Sequence, residues 1–271
     1  MTTTDSGIDT LAPVDGLFVS LDDGVLSVTV NRPETLNSLT EPILAGIADA
    51  MENAATDPRV KAVRLGGAGR GFSSGAGIGA ENRSATSGTL TGTLEEANRA
   101  VRAIVALPHP VVAVVQGPAA GVGVSLALAC DLVLASDKAF FMLAFTKIGL
   151  MTDGGASALV AAAIGRIRAM KMALLAERIL AADALDWGLV SAVYPADSFE
   201  AEVDKVLATL VAGPAVAFSK TKNAINNATL TELEATLERE LGGQAGLLIS
   251  HDFAEGTLAF QERRPATFTD S

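Results

Sequence analysis

The sequence predicts an α/β fold that ends in a helical C-terminal region, and three observations carry that prediction. Short runs of β-branched and small apolar residues, such as VKAVRL ending at Leu65 and the run Val111 to Val115, alternate with stretches whose apolar positions recur at helical spacing. Glycine-rich turns follow two of these strands, at 66–77 and 117–123. From Phe199 onward the strand signals stop and helical periodicity is almost continuous.

Composition bounds the rest. With 271 residues, 49% of them hydrophobic, the chain can bury a large core, and disorder is expected only at its ends. A net charge of −11 argues against the basic footprint of nucleic-acid binding and against attraction to anionic membranes. The single cysteine, Cys130, excludes an intrachain disulfide framework and fits a reducing, cytoplasmic setting. MTTTDSGIDT lacks the basic and apolar regions of a secretory signal, so residues 1–13 are expected as a flexible leader. The most apolar window, Val111 to Ala129, contains Gln116 and Pro118 and no basic flanks, which suits a buried strand and helix better than a membrane span.

Taken in order, Leu17 to Asn31 reads as a β-hairpin around Asp22-Asp23-Gly24, with alternation in VLSVTV. Asn31 to Leu39 is a loop, and Thr40 with Pro42 starts a helix through about Thr56. Lys61 to Leu65 returns as a strand. Residues 80–93, rich in Ser, Thr and Gly, suit a solvated loop or a lid over a site. A helix over Leu94 to Leu107 is closed by Pro108-His109-Pro110 before the central strand Val111 to Val115. After the glycine turn, SLALACDLVLA (125–135) reads as a close-packed helix. Ala139 to Leu150 reads as short strand and turn segments, Gly155 to Ala163 and Arg168 to Ala176 as helices, and Trp187 to Val190 as the approach to one more strand. The core is thus expected over 14–198, and a helical region over 199–271 packs on it or on a partner subunit.

Several chemistries drop out. No G-x-G-x-x-G leads into a helix and no phosphate-loop motif occurs, so dinucleotide and P-loop readings are weak. With only His109 and His251, neither a Ser-His-Asp triad nor a histidine-rich metal site is expected. The pairs Asp22-Asp23 and Glu95-Glu96 read as solvated faces. What remains is the pair of glycine turns. Each offers free N–H groups, the second at a helix N-terminus, and together they could converge on one oxygen that gains negative charge.

From about Gly16 to Phe268 the chain resembles the crotonase, or enoyl-CoA hydratase/isomerase, family. NRPETLNSL (31–39) is similar to the family's CoA-binding segment, and GRGFSSGAGI (69–78) to its oxyanion segment, with Gly77 where an Asp is usual. The resemblance implies a spiral of ββα turns, C-terminal helices that build a homotrimer or a dimer of trimers, and an acyl-CoA ligand. It implies no cofactor apart from the coenzyme A of the substrate, and no metal. Matching the motifs places the two oxyanion donors at the backbone N–H groups of Ala76 and Val122. Arg32, Leu36, Ser74, Gly75, Gly77, Ile78, Gly121, Ser125 and Phe145 fall on substrate-binding positions, Arg32 being placed to meet phosphates.

The same matching puts the two glutamates of the family's hydratases at Ser125 and Phe145. Phenylalanine has no proton to give and an unassisted serine is a poor base, so efficient hydration is not expected. LAFTKIGLMTDGGASAL (143–159) is instead similar to the Δ3,Δ2-enoyl-CoA isomerase branch, with Asp153 on its catalytic carboxylate. Two readings of Asp153 stand at this point: a helix N-cap before Gly154-Gly155, or a proton carrier between C2 and C4 of the acyl chain. The expected function is isomerisation of unsaturated acyl-CoA in fatty-acid metabolism. Hydration and a catalytically weak acyl-CoA carrier are the alternatives, on a scaffold that also supports other enolate chemistry.

Overall fold

The computed structural model describes residues 7–77 and 91–270. Strands β1 (Leu17–Asp22) and β2 (Val25–Val30) form the expected hairpin, with Leu17 opposite Val30 and Asp22 opposite Val25. Asp23 and Gly24 both take positive φ, 45° and 84°, as a two-residue turn matched to strand twist requires. Leu26, Val28 and Val30 point into the core while Ser27 and Thr29 keep some solvent contact. The period of two is therefore set by burial on one face.

β3 (Ala62–Gly67), β4 (Val111–Val115), β6 (Leu132–Ser136) and β9 (Ala192–Tyr194) extend the hairpin into a six-stranded sheet, order β1-β2-β3-β4-β6-β9. All neighbours but β1 and β2 pair in parallel. A second sheet holds β5 (Pro118–Ala120), β7 (Phe140–Met142) and β8 (Ile179–Leu180). Chain order alternates between the sheets and then adds a helix: β4, β5, α3 (Val122–Ala129), then β6, β7, α4 (Ala156–Leu175). This is the expected spiral of ββα turns.

α1 (Glu41–Ala54), with Pro42 in its first turn, lays Ile43, Leu44, Ile47 and Met51 into the core beside α2 (Gly92–Ala106). All five residues of β4 are buried. One face meets the main core, and on the other Val112 and Val114 pack with Phe199, Val203 and Leu207 of α6 (Phe199–Val211). A strand covered on both faces must be continuously apolar, which is what VVAVV is. α5 (Ala181–Trp187) then links β8 to β9.

The structure corrects four expectations. The helix read over 125–135 stops at Ala129, and Leu132–Ser136 is β6. Asp131 causes the switch: its N–H donates to the Val111 carbonyl and its carboxylate accepts the Val111 N–H at 2.7 Å, which starts pairing along β4. Pro118–Ala120, read as turn, is a short strand. The 80–93 segment lies outside the described residues up to residue 90, and α2 begins at Gly92 rather than Leu94. Within the expected leader, Gly7–Thr10 forms a 3₁₀ turn, and Ile8 and Leu11 pack on the core. The two helices expected at 155–176 are borne out: they run on from one another across a kink at Gly165, whose φ of 75° and ψ of 159° are not helical.

The C-terminal region continues with α7 (Ala215–Thr229), α8 (Leu233–Leu247) and α9 (His251–Glu262). No apolar side chain of α7 is buried against the core. Polar contacts hold it: Lys222 Nζ donates to the carbonyls of Ile104 and His109 and sits 2.9 Å from Asp131, and Asn226 donates to the Val105 carbonyl. Val216 and Ile225 stay exposed on it, as do Ile167, Met170 and Leu174 on α4. Among the described residues, no helix is long and apolar enough to cross a membrane.

Candidate active site

The site grows from two side-chain amides. Asn37 is fully buried and, like Leu36 before it, takes a positive φ. Its Nδ2 donates to the carbonyls of Ala68 (2.9 Å) and Gly71 (2.7 Å), while its Oδ1 accepts the Arg32 N–H. From the other side Gln116 Nε2 donates to the carbonyls of Gly67, Gly69 and Gly71. The inward carbonyls of the turn are thereby satisfied, and the chain beyond it is free to present N–H groups.

That chain, residues 73–77, runs between Leu39 and β5. On the β5 side the Ser73 N–H donates to the Pro118 carbonyl and the Ser73 carbonyl accepts the Ala120 N–H, while the Ser73 hydroxyl donates to the Asn37 carbonyl. On the other side Leu39 donates to the Gly75 carbonyl and accepts from the Gly77 N–H. Ala76, lying between those two residues, must turn its own N–H away from Leu39. Gly75 and Gly121 make the approach possible. A Cβ on Gly75 would stand 2.8 Å from the Ala120 oxygen, and the two glycines take φ of 88° and 54°. The next N–H groups, Ala76 and Val122, make no hydrogen bond among the described residues. Val122 is also the first residue of α3, so the positive end of the helix dipole adds to it. Two unpaired donors on adjacent backbones suit an oxygen that becomes an anion.

The opposite wall is the turn before α4. A Cβ on Gly154 would meet Val122 Cγ2 at 2.9 Å and Ser125 Cβ at 3.2 Å, so this turn rests directly on the first turn of α3. Ser125, fully buried, donates its hydroxyl to the Asp153 carbonyl at 2.9 Å. The Phe145 ring abuts Gly121. Asp153 does not cap α4, which removes the capping reading. The N-cap position is Gly155, and Glu240 of α8 binds the N–H groups of Gly155 (2.6 Å) and Ser157 (2.9 Å). With Gly154 and Gly155 both at positive φ, the Asp153 carboxylate swings off the helix end and accepts from Gln244 Nε2 at 2.8 Å. Burial pushes the Asp153 carboxyl up to about 7; the Gln244 bond pulls it down and the nearby Glu240 charge adds to the rise. Glu240 is raised as well, by burial, against the bonds it accepts.

A family model described as enoyl-CoA hydratase/isomerase matches residues 20–271. The chain belongs to the enoyl-CoA hydratase/isomerase family. It is 39% identical to a probable enoyl-CoA hydratase of Rhodobacter capsulatus, over 92% of this chain and 96% of the relative. It is 34% identical to 1,2-epoxyphenylacetyl-CoA isomerase of Escherichia coli, again over 92% and 96%. Among solved structures, an enoyl-CoA hydratase from Mycobacterium avium subsp. paratuberculosis superposes with a TM-score of 0.90 at 71% identity, covering 95% of this chain and all of that one.

On this enoyl-CoA hydratase/isomerase scaffold the expected site residues fall in three groups. Gly75, Ala76, Gly77, Gly121 and Val122 form the backbone floor, and Ser125, Phe145 and Asp153 the wall above it. Arg32, Leu36 and Ser74 meet where the 31–39 loop is tied to residues 73–77, the Ser74 N–H donating to the Leu36 carbonyl. There Arg32 Nη1 donates to the Ser38 carbonyl and hydroxyl, the Ser74 hydroxyl donates to the Thr35 carbonyl, and Leu36 packs beside Gly71. Ile78 lies outside the described residues.

Glu240 and Gln244 join the site from outside the motifs read in the sequence. A signal is present, because they share a helical stripe with buried Leu233 and Leu237, at i, i+4, i+7 and i+11, where polar residues are out of place. One trio of possible metal ligands, His251, Asp252 and Asp270, brings its ligand atoms within 4.8 Å of one another. Asp252 accepts from the N–H groups of Thr269 and Asp270, so these carboxylates fasten the chain end.

Proposed function

We propose that the protein moves the double bond of unsaturated acyl-CoA thioesters between the 3- and 2-positions, through an enolate held by the N–H groups of Ala76 and Val122. The observation that carries this reading is the seat of Asp153. Its turn rests on the first turn of α3, with a carboxyl poised near neutrality, while Ser125 and Phe145 bring no carboxylate to the same place. The Asp153 carboxylate takes the C2 proton, and the electrons of that C–H bond spread through the thioester onto its oxygen. The two N–H groups stabilise that charge. Asp153 then returns the proton at C4, so the double bond arrives at C2–C3 with no net gain or loss of atoms. A base whose pKa lies near the working pH suits both halves of the transfer.

The reading places the enzyme in cytoplasmic fatty-acid metabolism. Its test is a kinetic comparison of cis- and trans-3-enoyl-CoA with 2-enoyl-CoA substrates. Isomerisation is expected, with hydration at least about 10²-fold slower than in a two-glutamate member, the low end of what acid–base catalysis contributes. Hydration at a two-glutamate rate overturns it. Binding of CoA thioesters by calorimetry without any turnover leaves the carrier reading in its place.

The same reading includes assembly as a homotrimer or a dimer of trimers, supported by the exposed Val216 and Ile225 on α7 and Ile167, Met170 and Leu174 on α4. Light scattering is expected to give a multiple of three chain masses, and a monomeric mass contradicts it.

A further inference from the structure

We infer that Gln244 is a positioning residue for the Asp153 carboxylate, and that Glu240, four residues earlier on α8, fixes the turn on which that carboxylate rides. The inference rests on the proposed isomerase reading and goes beyond it, since it assigns to the C-terminal helical region a part in proton transfer.

The geometry determines what Gln244 can do. Its Oε1 accepts the Met151 N–H at 3.2 Å, and its Nε2 donates to the Met151 carbonyl at 2.8 Å and to Asp153 Oδ2 at 2.8 Å. Because the Met151 N–H needs an acceptor, the amide cannot flip, and only its NH₂ end can face Asp153. Gln244 is 1% exposed, so no water competes for those contacts. A fixed donor favours the ionised carboxylate and holds one oxygen, leaving Oδ1 for a substrate proton.

Glu240, also 1% exposed, spans the start of α4 by accepting from Gly155 and Ser157. Removing either group has an opposite electrostatic effect on Asp153: Gln244 stabilises its charge and Glu240 opposes it. Three further charged groups line cavities shared with this turn: Arg166 of α4 and Asp252 of α9 beside Met151, Thr152 and Ser157, and Arg239 of α8 beside Met151 and Ser157. α3 presents Val122 and Ser125, the Phe145–Ile148 turn presents Phe145, and Lys147 of that turn is exposed.

The test compares pH–rate profiles of wild type, Gln244→Met and Glu240→Gln on a 3-enoyl-CoA. In Gln244→Met the acid limb is expected to rise by about one pH unit, because a hydrogen bond to an ion and a unit of pKa are of similar size. From a wild-type limb near 7, kcat at pH 7 then falls about fivefold and recovers at pH 9. In Glu240→Gln, which keeps an acceptor but loses the charge, the limb moves down. If Gln244→Met does not fold, Gln244→Glu retains the acceptor for Met151 and is also expected to move the limb up. Limbs that stay in place while melting temperatures drop would mean that both residues are only structural, and would overturn the inference.

A second readout separates this from failure of the isomerase reading. Carboxyl ¹³C NMR titration, with Asp153 assigned by its loss in Asp153→Asn, reports the same two opposed shifts without any turnover. A wild type that does not turn over 3-enoyl-CoA sinks the activity. Unmoved Asp153 titrations in both variants sink the positioning role.

Discussion

Asp153→Asn is expected to slow 3-enoyl-CoA isomerisation by about 10² to 10⁴-fold while leaving the fold intact. Asparagine keeps the size of the side chain, and its Oδ1 can still accept from Gln244 Nε2, so the turn loses no contact that the structure gives it. What it loses is the ability to take a proton. The stability of the variant supplies an independent check. The folded carboxyl titrates at about 7 against an ordinary 3.8, so the folded state binds this proton more tightly than the unfolded chain does. Its contribution to stability is therefore complete below about pH 4 and lost as pH rises through 7. Asparagine carries no such loss. The variant is expected to melt with wild type near pH 4 and above it at pH 8, each kcal/mol appearing as about 2–4 °C. Full isomerase activity in Asp153→Asn would remove Asp153 from the mechanism, and a melting difference independent of pH would contradict its buried titration.

Gly75→Ala is expected to lower isomerisation by about 10² to 10³-fold, the loss that follows removal of one oxyanion donor. The new methyl would lie 2.8 Å from the Ala120 oxygen, a backbone atom of β5 that cannot turn aside, and φ at this position is 88°. The strained backbone costs about 1–3 kcal/mol, and relief comes by parting residues 73–77 from β5. That movement takes the Ala76 N–H away from the Val122 N–H. Ala76→Ser is the matched control. Its donor is a backbone atom, so its rate should stay within about threefold of wild type, well inside what loss of a donor produces. A Gly75→Ala enzyme with unchanged kcat would mean that Ala76 is not a donor.

What the sequence discloses of this fold and site follows the range of the forces involved. The hairpin could be read because its period of two and its Asp-Asp-Gly turn are local. The oxyanion floor could be read because glycines are conspicuous where backbones touch. β6 could not, since LVLAS is apolar enough for a buried helix, and only the pairing of Asp131 with Val111 decides the matter. Asp153 is marked by its motif, but its sequence neighbours favour an N-cap role that the structure gives to Gly155. The groups that settle its surroundings, Glu240 and Gln244, lie 83 to 93 residues further along the chain from their partners, beyond the reach of any local pattern.

The amides of Asn37 and Gln116 have one further consequence. Between them they engage the carbonyls of Gly67, Ala68, Gly69 and Gly71. The turn that leads into the floor of the site is thus held by the protein's own side chains rather than by a ligand. Substrate does not have to organise its own receptor, so little of its intrinsic affinity is consumed in freezing loops. On the proposed chemistry, that affinity is left to act where the oxygen gains charge, which is the only stage at which it speeds the reaction.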